Sequence, residues 1–254
     1  MTNWERQNQI AEIIKTEGFA KVETLAKKIF VSEATIRRDL TSMEQLGKIK
    51  KIYGGAVNIE PRISSPLLRY NAQRIEKNII AKLAMPLLQD ANCLFFDSSS
   101  TVGTLANQFS FQHKTIITIG LQTASTLSSL PDINLFVPGG QINYLTNSIS
   151  GSVAIDDLKK YNIDLALISA SAISPKGITE TSSEQSELKK HILGHAKKTA
   201  LLIDSEKFGL EDIFFTAELY HFNYIVTNKQ PAKQYFSAAP EVTYIYPAPS
   251  KETI

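Results

Sequence analysis

The chain has 254 residues, of which 43% are hydrophobic and 20% are charged, and it carries a formal net charge of +2. This length allows one small and one medium-sized domain, and the single cysteine, Cys93, excludes an intramolecular disulfide. No apolar run approaches the roughly 18 residues of a membrane-spanning helix, and the N-terminus lacks a signal-peptide pattern, so we expect a cytoplasmic protein.

The first elements in the chain are predicted to be three short helices. Ile10, Ile13 and Ile14 give the first helix an apolar edge. Two further apolar stripes recur at helical spacing, at Val22, Leu25, Ala26 and Ile29, and then at Ile36, Leu40, Met43 and Leu46. Ser32 precedes the third helix as an N-cap and Gly47 closes it. Three helices with a tight turn before the third form a helix-turn-helix, which is typical of DNA-binding proteins.

A basic strand follows, and it is predicted to form a wing. It runs from Ile49 to Tyr53 and ends at Gly54 and Gly55. Residues 1–57 hold 10 Lys and Arg against 7 Asp and Glu, whereas the rest of the chain holds 17 against 18. Most charge runs are ordinary solvated surface, but here the cap, the helical phase, the arginine pair and the wing all favour contact with DNA phosphates.

The run VSEATIRRDL…LGKI…GGA resembles the winged helix of the DeoR family of bacterial transcriptional regulators. Members of that family bind operator DNA, usually as repressors. The resemblance implies this role for Ser32, Thr35, Arg37 and Arg38, with the wing Lys50–Gly55 on the DNA backbone. The full set of predicted DNA-binding residues is Lys21, Ser32, Glu33, Thr35, Arg37, Arg38, Lys50, Lys51, Tyr53, Gly54 and Gly55.

The chain is predicted to divide into a DNA-binding domain over residues 1–57, a linker over 58–68 and an effector-sensing domain over 69–254. Pro61 and Pro66 interrupt both helical and strand patterns in the linker. A helix is predicted over Leu68–Leu88, with Pro86 disturbing its last turn. Its apolar side is expected to consist of Ile75, Ile79, Ile80, Leu83 and Leu87.

Strands and helices alternate beyond residue 92. The predicted strands are Cys93–Phe96, Thr115–Ile119, Asn134–Val137, Asp164–Ser169, Thr199–Ile203, Tyr224–Val226 and Val242–Tyr246. Helices are predicted around residues 102–109, 121–129, 152–161, 184–197 and 230–237. Short apolar strands separated by helices indicate an α/β domain with a mostly parallel sheet covered on both faces. In such sheets ligands bind outside the carboxyl ends of the strands.

Two polar segments follow predicted strands directly. Asp97, Ser98, Ser99, Ser100 and Thr101 stand between a strand and a helix, where hydroxyls and free N–H groups can hold a phosphate. An ordinary helix cap with Asp97 closing the turn explains the same residues equally well. Pro138-Gly139-Gly140 follows another strand; the glycines permit close approach of a ligand, but such a pair is more often a simple turn.

Two further segments carry lysines. Lys189 and Lys190 lie on a predicted helix and either pair with an anionic ligand or form part of a solvated face. Asp204 and Lys207 follow the strand TALLID, where an Asp accepts sugar hydroxyls and a Lys pairs with phosphate. The Asp-x-x-Lys pattern is common, so its position at the end of a strand carries the argument.

The order of these segments is similar to that of the DeoR-type sensor domain, which resembles sugar-phosphate isomerases in fold and binds a phosphorylated sugar. The resemblance implies that the effector site contains Asp97, Ser98, Ser99, Ser100, Thr101, Gly139, Gly140, Lys189, Asp204 and Lys207. Ser99 replaces a glycine that is common in the family, which would narrow the phosphate site. Ile119 stands where the family commonly has an asparagine, so an amide donor is missing.

Other site types are weaker predictions. A sugar-phosphate isomerase would need a placed general base, for which Asp97 or Asp204 could serve, but an enzyme has no need of a winged helix. His191 and His195 are four residues apart, yet without a glutamate between them in the zinc-protease pattern they are expected to be ordinary histidines. No catalytic residue, metal site or cofactor is predicted.

The sequence therefore predicts a DNA-binding repressor of a carbohydrate-utilisation operon, released from its operator by a phosphorylated sugar. The alternatives are an activator, a regulator with a degenerate sensor pocket or, less favoured, an isomerase. Because operators usually contain two half-sites, a homodimer or homotetramer is expected.

Overall fold

The computed structural model describes residues 2–17, 19–45, 49–52, 54–58, 69–70, 72–110 and 112–248; for residues 15–17, 45, 50, 52, 57 and 58 it describes the main chain alone. The chain divides into two compact units, residues 1–62 and 63–254. Most of the predicted linker lies outside the described residues, as do Leu46, Gly47 and Tyr53.

The N-terminal unit contains three helices and a small antiparallel sheet. The helices are α1 (Asn3–Glu17), α2 (Val22–Ile29) and α3 (Glu33–Gln45). The strands are β1 (Phe19–Lys21), β2 (Ile49–Ile52) and β3 (Gly55–Asn58), arranged in the order β1-β3-β2. The apolar stripes read from the sequence form the core, in which Ile10, Leu25 and Ile36 are fully buried. The sequence does not predict β1, because three residues are too few to show a strand period.

The turn between α2 and α3 is built as the sequence predicts. Phe30 adopts a left-handed conformation (φ 59°) and ends α2. Ser32 caps α3, since its Oγ accepts a hydrogen bond from Thr35 N at 3.2 Å and its carbonyl accepts one from Ile36 N at 3.1 Å. The cap fixes where α3 begins, and therefore which of its side chains face outward.

The C-terminal unit is built on a seven-stranded parallel sheet. Its strands are β4 (Cys93–Phe96), β5 (Lys114–Thr118), β6 (Ile133–Phe136), β9 (Leu165–Ile168), β12 (Lys198–Leu202), β14 (Tyr224–Val226) and β15 (Thr243–Ile245). They lie in the order β15-β14-β12-β9-β4-β5-β6, and every neighbouring pair is parallel. All seven strands predicted from the sequence are confirmed to within one or two residues at each end.

The remaining elements pack around this sheet. The helices are α4 (Arg74–Ala84), α5 (Ser100–Ala106), α6 (Leu121–Leu127), α7 (Ser152–Leu158), α8 (Ser183–His195) and α9 (Lys233–Ala238). Two small antiparallel sheets consist of β7 (Gln141–Asn143) with β8 (Ser148–Ser150), and of β10 (Ala172–Ser174), β11 (Gly177–Glu180) and β13 (Phe214–Ala217). The sequence does not predict these two sheets, because their strands are short and partly polar and resemble loops.

Apolar residues fill both faces of the parallel sheet. Phe95 of β4 packs in one cluster with Ile117 and Leu188, whereas its neighbour Phe96 packs in the other with Ile80 and Val102. Successive residues of a strand point to opposite faces, so a strand covered on both sides needs continuous apolar sequence. Burial on both faces explains the continuous apolar runs that predicted these strands.

The helix predicted over Leu68–Leu88 is interrupted. Arg69 and Tyr70 are helical, but Gln73 adopts φ 47° and α4 begins at Arg74. The end was predicted correctly, since Met85–Leu88 forms a 3-10 turn that contains Pro86. The prediction for Ile75 was wrong: 73% of its surface is exposed. Lys77 is buried instead, because its Nζ donates hydrogen bonds to the carbonyls of Arg69 and Ala72.

The carboxyl ends of β12, β9 and β4 lie side by side. Asp204 follows β12, Ser169 and Ala170 follow β9, and Asp97 follows β4. The parallel topology therefore brings together segments that are between about 35 and about 107 residues apart in the chain. Among the described helices, none is long and apolar enough to cross a membrane.

Gly177 is the first residue of β11, and a substitution there tests how closely β11 packs against β13. Its φ is +143°, and a Cβ at this position would lie 2.1 Å from the carbonyl oxygen of Ala217. We expect Gly177→Ala to lower the free energy of unfolding by at least about 2 kcal/mol, because both backbone strain and the clash oppose it. The measurement is urea unfolding followed by circular dichroism.

The matched control is Gly194→Ala within α8, where an added Cβ meets nothing within 4 Å. That substitution should stabilise the protein by about 0.5–1 kcal/mol, since alanine is the better helix former. Equal unfolding midpoints for the two variants would contradict the packing described for Gly177.

Candidate nucleic-acid interface and effector site

The exposed face of α3 carries the two predicted arginines. Arg37 and Arg38 are both exposed, and the Nη2 of Arg37 lies 3.0 Å from Glu33 Oε2. More than half of the Arg37 side chain is exposed, and such surface ion pairs contribute little to stability. The Arg37 guanidinium can therefore leave Glu33 for a phosphate or a base edge at small cost.

At the start of α3, the side chains of Ser32 and Thr35 contact each other. Ser32 Oγ and Thr35 Oγ1 lie 2.9 Å apart, within hydrogen-bond distance. Ser32 is exposed and Thr35 is partly buried. Their contacts account for the cap, and direct reading of bases by Ser32, Glu33 and Thr35 stays a prediction.

The wing is joined to α3 by Lys51. Its main-chain N donates to Glu44 Oε1 at 2.8 Å, and its Nζ donates to Thr41 Oγ1 at 2.9 Å. Gly54 forms the turn with φ 81°, and Gly55 pairs with Lys21, the exposed last residue of β1. A Cβ at Gly55 would lie 2.3 Å from Ala20 O, so close packing against β1 explains this glycine without a DNA contact.

The remaining wing residues have less description. The side chain of Lys50 and the whole of Tyr53 lie outside the described residues, so their predicted DNA contacts stay predictions.

Sequence reasoning missed the ion pair that fixes α3 against α1. Arg6 Nε lies 2.5 Å from Asp39 Oδ2, and Arg6 Nη2 donates to Asp39 Oδ1 at 3.1 Å. The pair is largely shielded from solvent, and the Asp39 carboxylate raises the pKa of Arg6. Because the guanidinium contacts both carboxylate oxygens, the pair fixes the orientation of α3 relative to α1.

In the C-terminal unit, Asp97 organises the first loop and has no exposed surface. Its Oδ1 accepts a hydrogen bond from Ser99 N, and its Oδ2 accepts one from Ser169 N, each at 2.8 Å. These contacts match the alternative in which Asp97 closes the turn. Direct contact between Asp97 and an effector stays a prediction.

Ser99 acts as the N-cap of α5. It has an extended backbone (φ −71°), and its Oγ accepts from Val102 N at 3.2 Å. The conformation does not require glycine, so the serine is tolerated without strain. Ser98 and Ser100 are partly exposed, whereas Thr101 is buried. Ile119 is fully buried in the apolar core, so it adds no polar group to this loop.

Lys189 is buried and already neutralised. Its Nζ forms an ion pair with Glu180, donates to Ser169 O at 2.7 Å and lies 3.7 Å from Asp97 Oδ2. Only 6% of its side chain is exposed. Lys189 therefore ties α8 to the ends of β4 and β9, and its predicted contact with an anionic ligand stays a prediction.

Lys207 is the more accessible of the two predicted lysines. Its Nζ donates to Ala170 O at 2.9 Å and lies 3.5 Å from Asp204 Oδ2, with 27% of the side chain exposed. Asp204 is buried and accepts a hydrogen bond from Glu206 N. The short 3-10 turn Ser205–Lys207 thus presents an ammonium at the carboxyl edge of the sheet.

The two predicted glycines lie beside another part of the fold. A Cβ at Gly140, whose φ is +141°, would lie 2.7 Å from Ser150 O. Gly139 N donates to Asp157 Oδ2 at 3.0 Å. The close approach to Ser150 explains Gly140 by packing against β8, whereas a Cβ at Gly139 would meet Val153 at an ordinary 3.5 Å. The role of both glycines in effector binding stays a prediction.

The hairpin β7–β8 brings polar groups that the sequence did not indicate. Ser148 forms a bridge with Gly120, and its Oγ accepts from Gln185 Nε2 at 3.0 Å. A Cβ at Gly120 would lie 2.9 Å from Ser98 Cα, so this hairpin borders the Ser98 loop. The only signal in the sequence is a polar segment after β6, which does not distinguish a site from a loop.

His191 and His195 contact each other on α8. The rings of His191 and His195 stack with centroids 5.6 Å apart, and His195 Nε2 lies 2.9 Å from Tyr161 O. Burial lowers the pKa of His191. Within the part of the chain that the structure describes, no group of three or more His, Cys, Asp or Glu could hold a metal ion.

Comparison with known proteins assigns both units. Residues 6–62 match the DeoR-like helix-turn-helix domain, and residues 72–229 match the DeoR C-terminal sensor domain. The repressor GlcR of Bacillus subtilis is 30% identical over 229 residues, covering 89% of each chain. The regulator GolR of Listeria innocua is 31% identical over 216 residues, covering 83% of this chain and 84% of its own.

A likeness among solved structures is more distant. Ribose 5-phosphate isomerase A of Methanocaldococcus jannaschii aligns with a TM-score of 0.38 and 15% identity, over 54% of this chain and 55% of the isomerase.

The two matched DeoR domains follow one another along a single chain, and together they cover most of it. The protein belongs to the DeoR family of transcriptional regulators.

Proposed function

We propose that this protein represses a carbohydrate-utilisation operon and that a phosphorylated sugar, or a related anionic metabolite, releases it from operator DNA. The observation that carries the proposal is the presence, in one chain, of a wing-supported helix with exposed arginines and a polar cluster at the edge of an α/β sheet. The relatives named as repressors and regulators support the same reading.

DNA recognition is proposed to rest on α3. Arg37 and Arg38 project from its exposed face, and an arginine can donate two parallel hydrogen bonds to a guanine. Lys21 and Lys51 add positive charge on the neighbouring strands, which strengthens phosphate contacts in a salt-dependent way. The Arg6–Asp39 pair keeps α3 in one orientation, so these contacts are pre-organised.

The effector is proposed to bind where β4, β9 and β12 end. The hydroxyls of Ser98 and Ser100 are partly exposed there, and Lys207 supplies an accessible positive charge. Asp97 and Lys189 are buried beneath these groups, where they fix the loops without reaching solvent. A phosphate suits this combination, because hydroxyls donate to its oxygens and the ammonium pairs with its charge.

The effector acts by shifting a population. A homodimer or homotetramer presents two winged helices to two half-sites, and ligand binding favours an arrangement that fits the operator less well. The regulator acts in the cytoplasm, where its operator lies.

Two alternatives differ in what they predict. An activator, or a regulator with a degenerate sensor, is favoured by the missing amide at Ile119 and by the neutralised Lys189. A degenerate sensor predicts no stabilisation by any member of a panel of phosphorylated sugars in a thermal-shift screen. Catalysis is less supported, because both carboxylate oxygens of Asp97 already accept main-chain hydrogen bonds.

Arg37→Ala tests the DNA interface. The substitution should weaken binding to an operator fragment by more than about 1 kcal/mol at fixed salt, because a specific base contact is lost. Fluorescence anisotropy with the full chain measures the affinity.

Lys233→Ala on α9 is the charge-matched control, since this exposed lysine belongs to the other unit. It should bind operator within about twofold of the unchanged protein, a difference of roughly 0.4 kcal/mol. Equal losses in the two variants would show that only net charge matters.

Lys207→Ala tests the effector site. We expect it to bind operator normally but to lose the release caused by the phosphorylated sugar that stabilises the unchanged protein most. Lys198→Ala, at the opposite end of β12, removes the same charge and should retain the response. A normal response in Lys207→Ala would exclude this lysine from the site.

A further inference from the structure

The segment just before α4 lies at the carboxyl ends of the parallel strands in the C-terminal unit. Arg69 Nη2 donates to the carbonyls of Thr146 at 3.2 Å and Leu145 at 3.4 Å. Gln73 Nε2 donates to Glu206 Oε2 at 2.8 Å. Arg69 and Gln73 therefore reach the hairpin β7–β8 and the turn that carries Lys207, respectively.

Tyr70 places the same segment on α5. A Cβ added at Gly103 would lie 2.1 Å from the Tyr70 hydroxyl, so the ring packs where only glycine leaves room. Burial raises the pKa of Tyr70. Because α5 starts directly after the Ser98 loop, Arg69 and Tyr70 are neighbours of the proposed effector site.

The Arg69 guanidinium is incompletely satisfied. Among the described residues its buried Nε has no hydrogen-bond partner, and its Nη2 donates to main-chain carbonyls only. A buried donor without a partner destabilises the folded state, and the effect is larger when the group carries a charge. Burial lowers the pKa of Arg69, although Asp97 and Glu180 act in the opposite direction.

The nearby carboxylates do not satisfy it. Asp97 accepts hydrogen bonds from Ser99 and Ser169, and Glu180 is paired with Lys189 and accepts from Ser171 Oγ at 2.9 Å. The oxygens of both carboxylates are therefore already engaged, and within the described residues neither accepts a hydrogen bond from Arg69. An additional anion is the group that this arrangement lacks.

The backbone of Arg69 is fixed on α4, whereas its side chain is held through Nη2 alone among the described contacts. Lys77 Nζ donates to the carbonyls of Arg69 and Ala72, which fixes the segment on α4. The two carbonyls that hold the guanidinium, at residues 145 and 146, belong to the connection between β7 and β8. A change of rotamer would release them without moving the main chain of Arg69.

We propose that Arg69 is an effector-binding residue: its guanidinium leaves the carbonyls of Leu145 and Thr146 and donates through Nε and Nη2 to one phosphate of the effector. A bidentate pair with phosphate satisfies the orphaned Nε–H and is among the strongest hydrogen-bonded contacts in proteins. The inference rests on the proposed function, and it adds to the predicted loops a cation that precedes them in the chain.

The test measures ligand affinity by isothermal titration calorimetry on the full chain. The probes are inorganic phosphate, ribose 5-phosphate, glucose 6-phosphate and the other pentose and hexose phosphates, with ribose and glucose as uncharged comparisons. Arg69→Ala should weaken binding of the tightest phosphorylated probe by about tenfold or more, as expected for a charged hydrogen bond. Arg69→Lys should fall between Arg69→Ala and the unchanged protein, because lysine keeps the charge but not the fork.

Arg74→Ala is the matched control, since Arg74 is exposed on the first turn of α4. It should bind the probe as the unchanged protein does, and all variants should bind operator normally without ligand. If Arg69→Ala cannot be folded, Arg69→Lys and Arg69→Gln give the same comparison.

The outcomes separate this inference from the proposed function. Binding of a phosphorylated probe to the unchanged protein and equally to Arg69→Ala would overturn the role of Arg69 alone. Absence of binding to the unchanged protein across the panel would overturn the proposed function, and the role of Arg69 with it.

Discussion

The structure depends on one buried carboxylate at the carboxyl end of β4. Asp97 accepts hydrogen bonds from Ser99 N and Ser169 N, so it joins the loops after two adjacent strands. Lys189 lies 3.7 Å from this carboxylate and also pairs with Glu180, which links α8 and β11 to the same point. Removing one charge from such a buried network would leave the others uncompensated, which is far more costly than losing a surface pair.

This network determines which groups remain for a ligand. Asp97 and Lys189 satisfy each other and their neighbours, so they shape the edge of the sheet without occupying it. Lys207 stays partly exposed, and Arg69 keeps a donor without a partner. We propose that a ligand engages the less satisfied outer charges, Lys207 and Arg69, and leaves the inner pair Asp97 and Lys189 in place.

The sequence predicted the regular elements well, because their signals are local. Each central strand is covered on both faces and therefore reads as a continuous apolar run, as in Cys93–Phe96. The cap at Ser32 was likewise visible in the sequence. The contacts of the candidate site were not, because they join residues far apart in the chain: Lys189 with Asp97, and Arg69 with Thr146. No local pattern distinguishes a lysine that is buried in an ion network from one on a solvated helical face. Lys77 is also buried on a helix, and the sequence does not indicate its burial.

Hydrogen–deuterium exchange of the full chain shows whether a ligand binds at the carboxyl ends of β4 and β12. Exchange is compared with and without the phosphorylated sugar that stabilises the protein most. We expect slower exchange in peptides covering residues 97–102 and 204–208, where the sheet edge meets the ligand, and unchanged exchange in peptides at the opposite end of the strands. Protection confined to the first 58 residues, or no protection at the carboxyl ends of β4 and β12, would contradict this expectation.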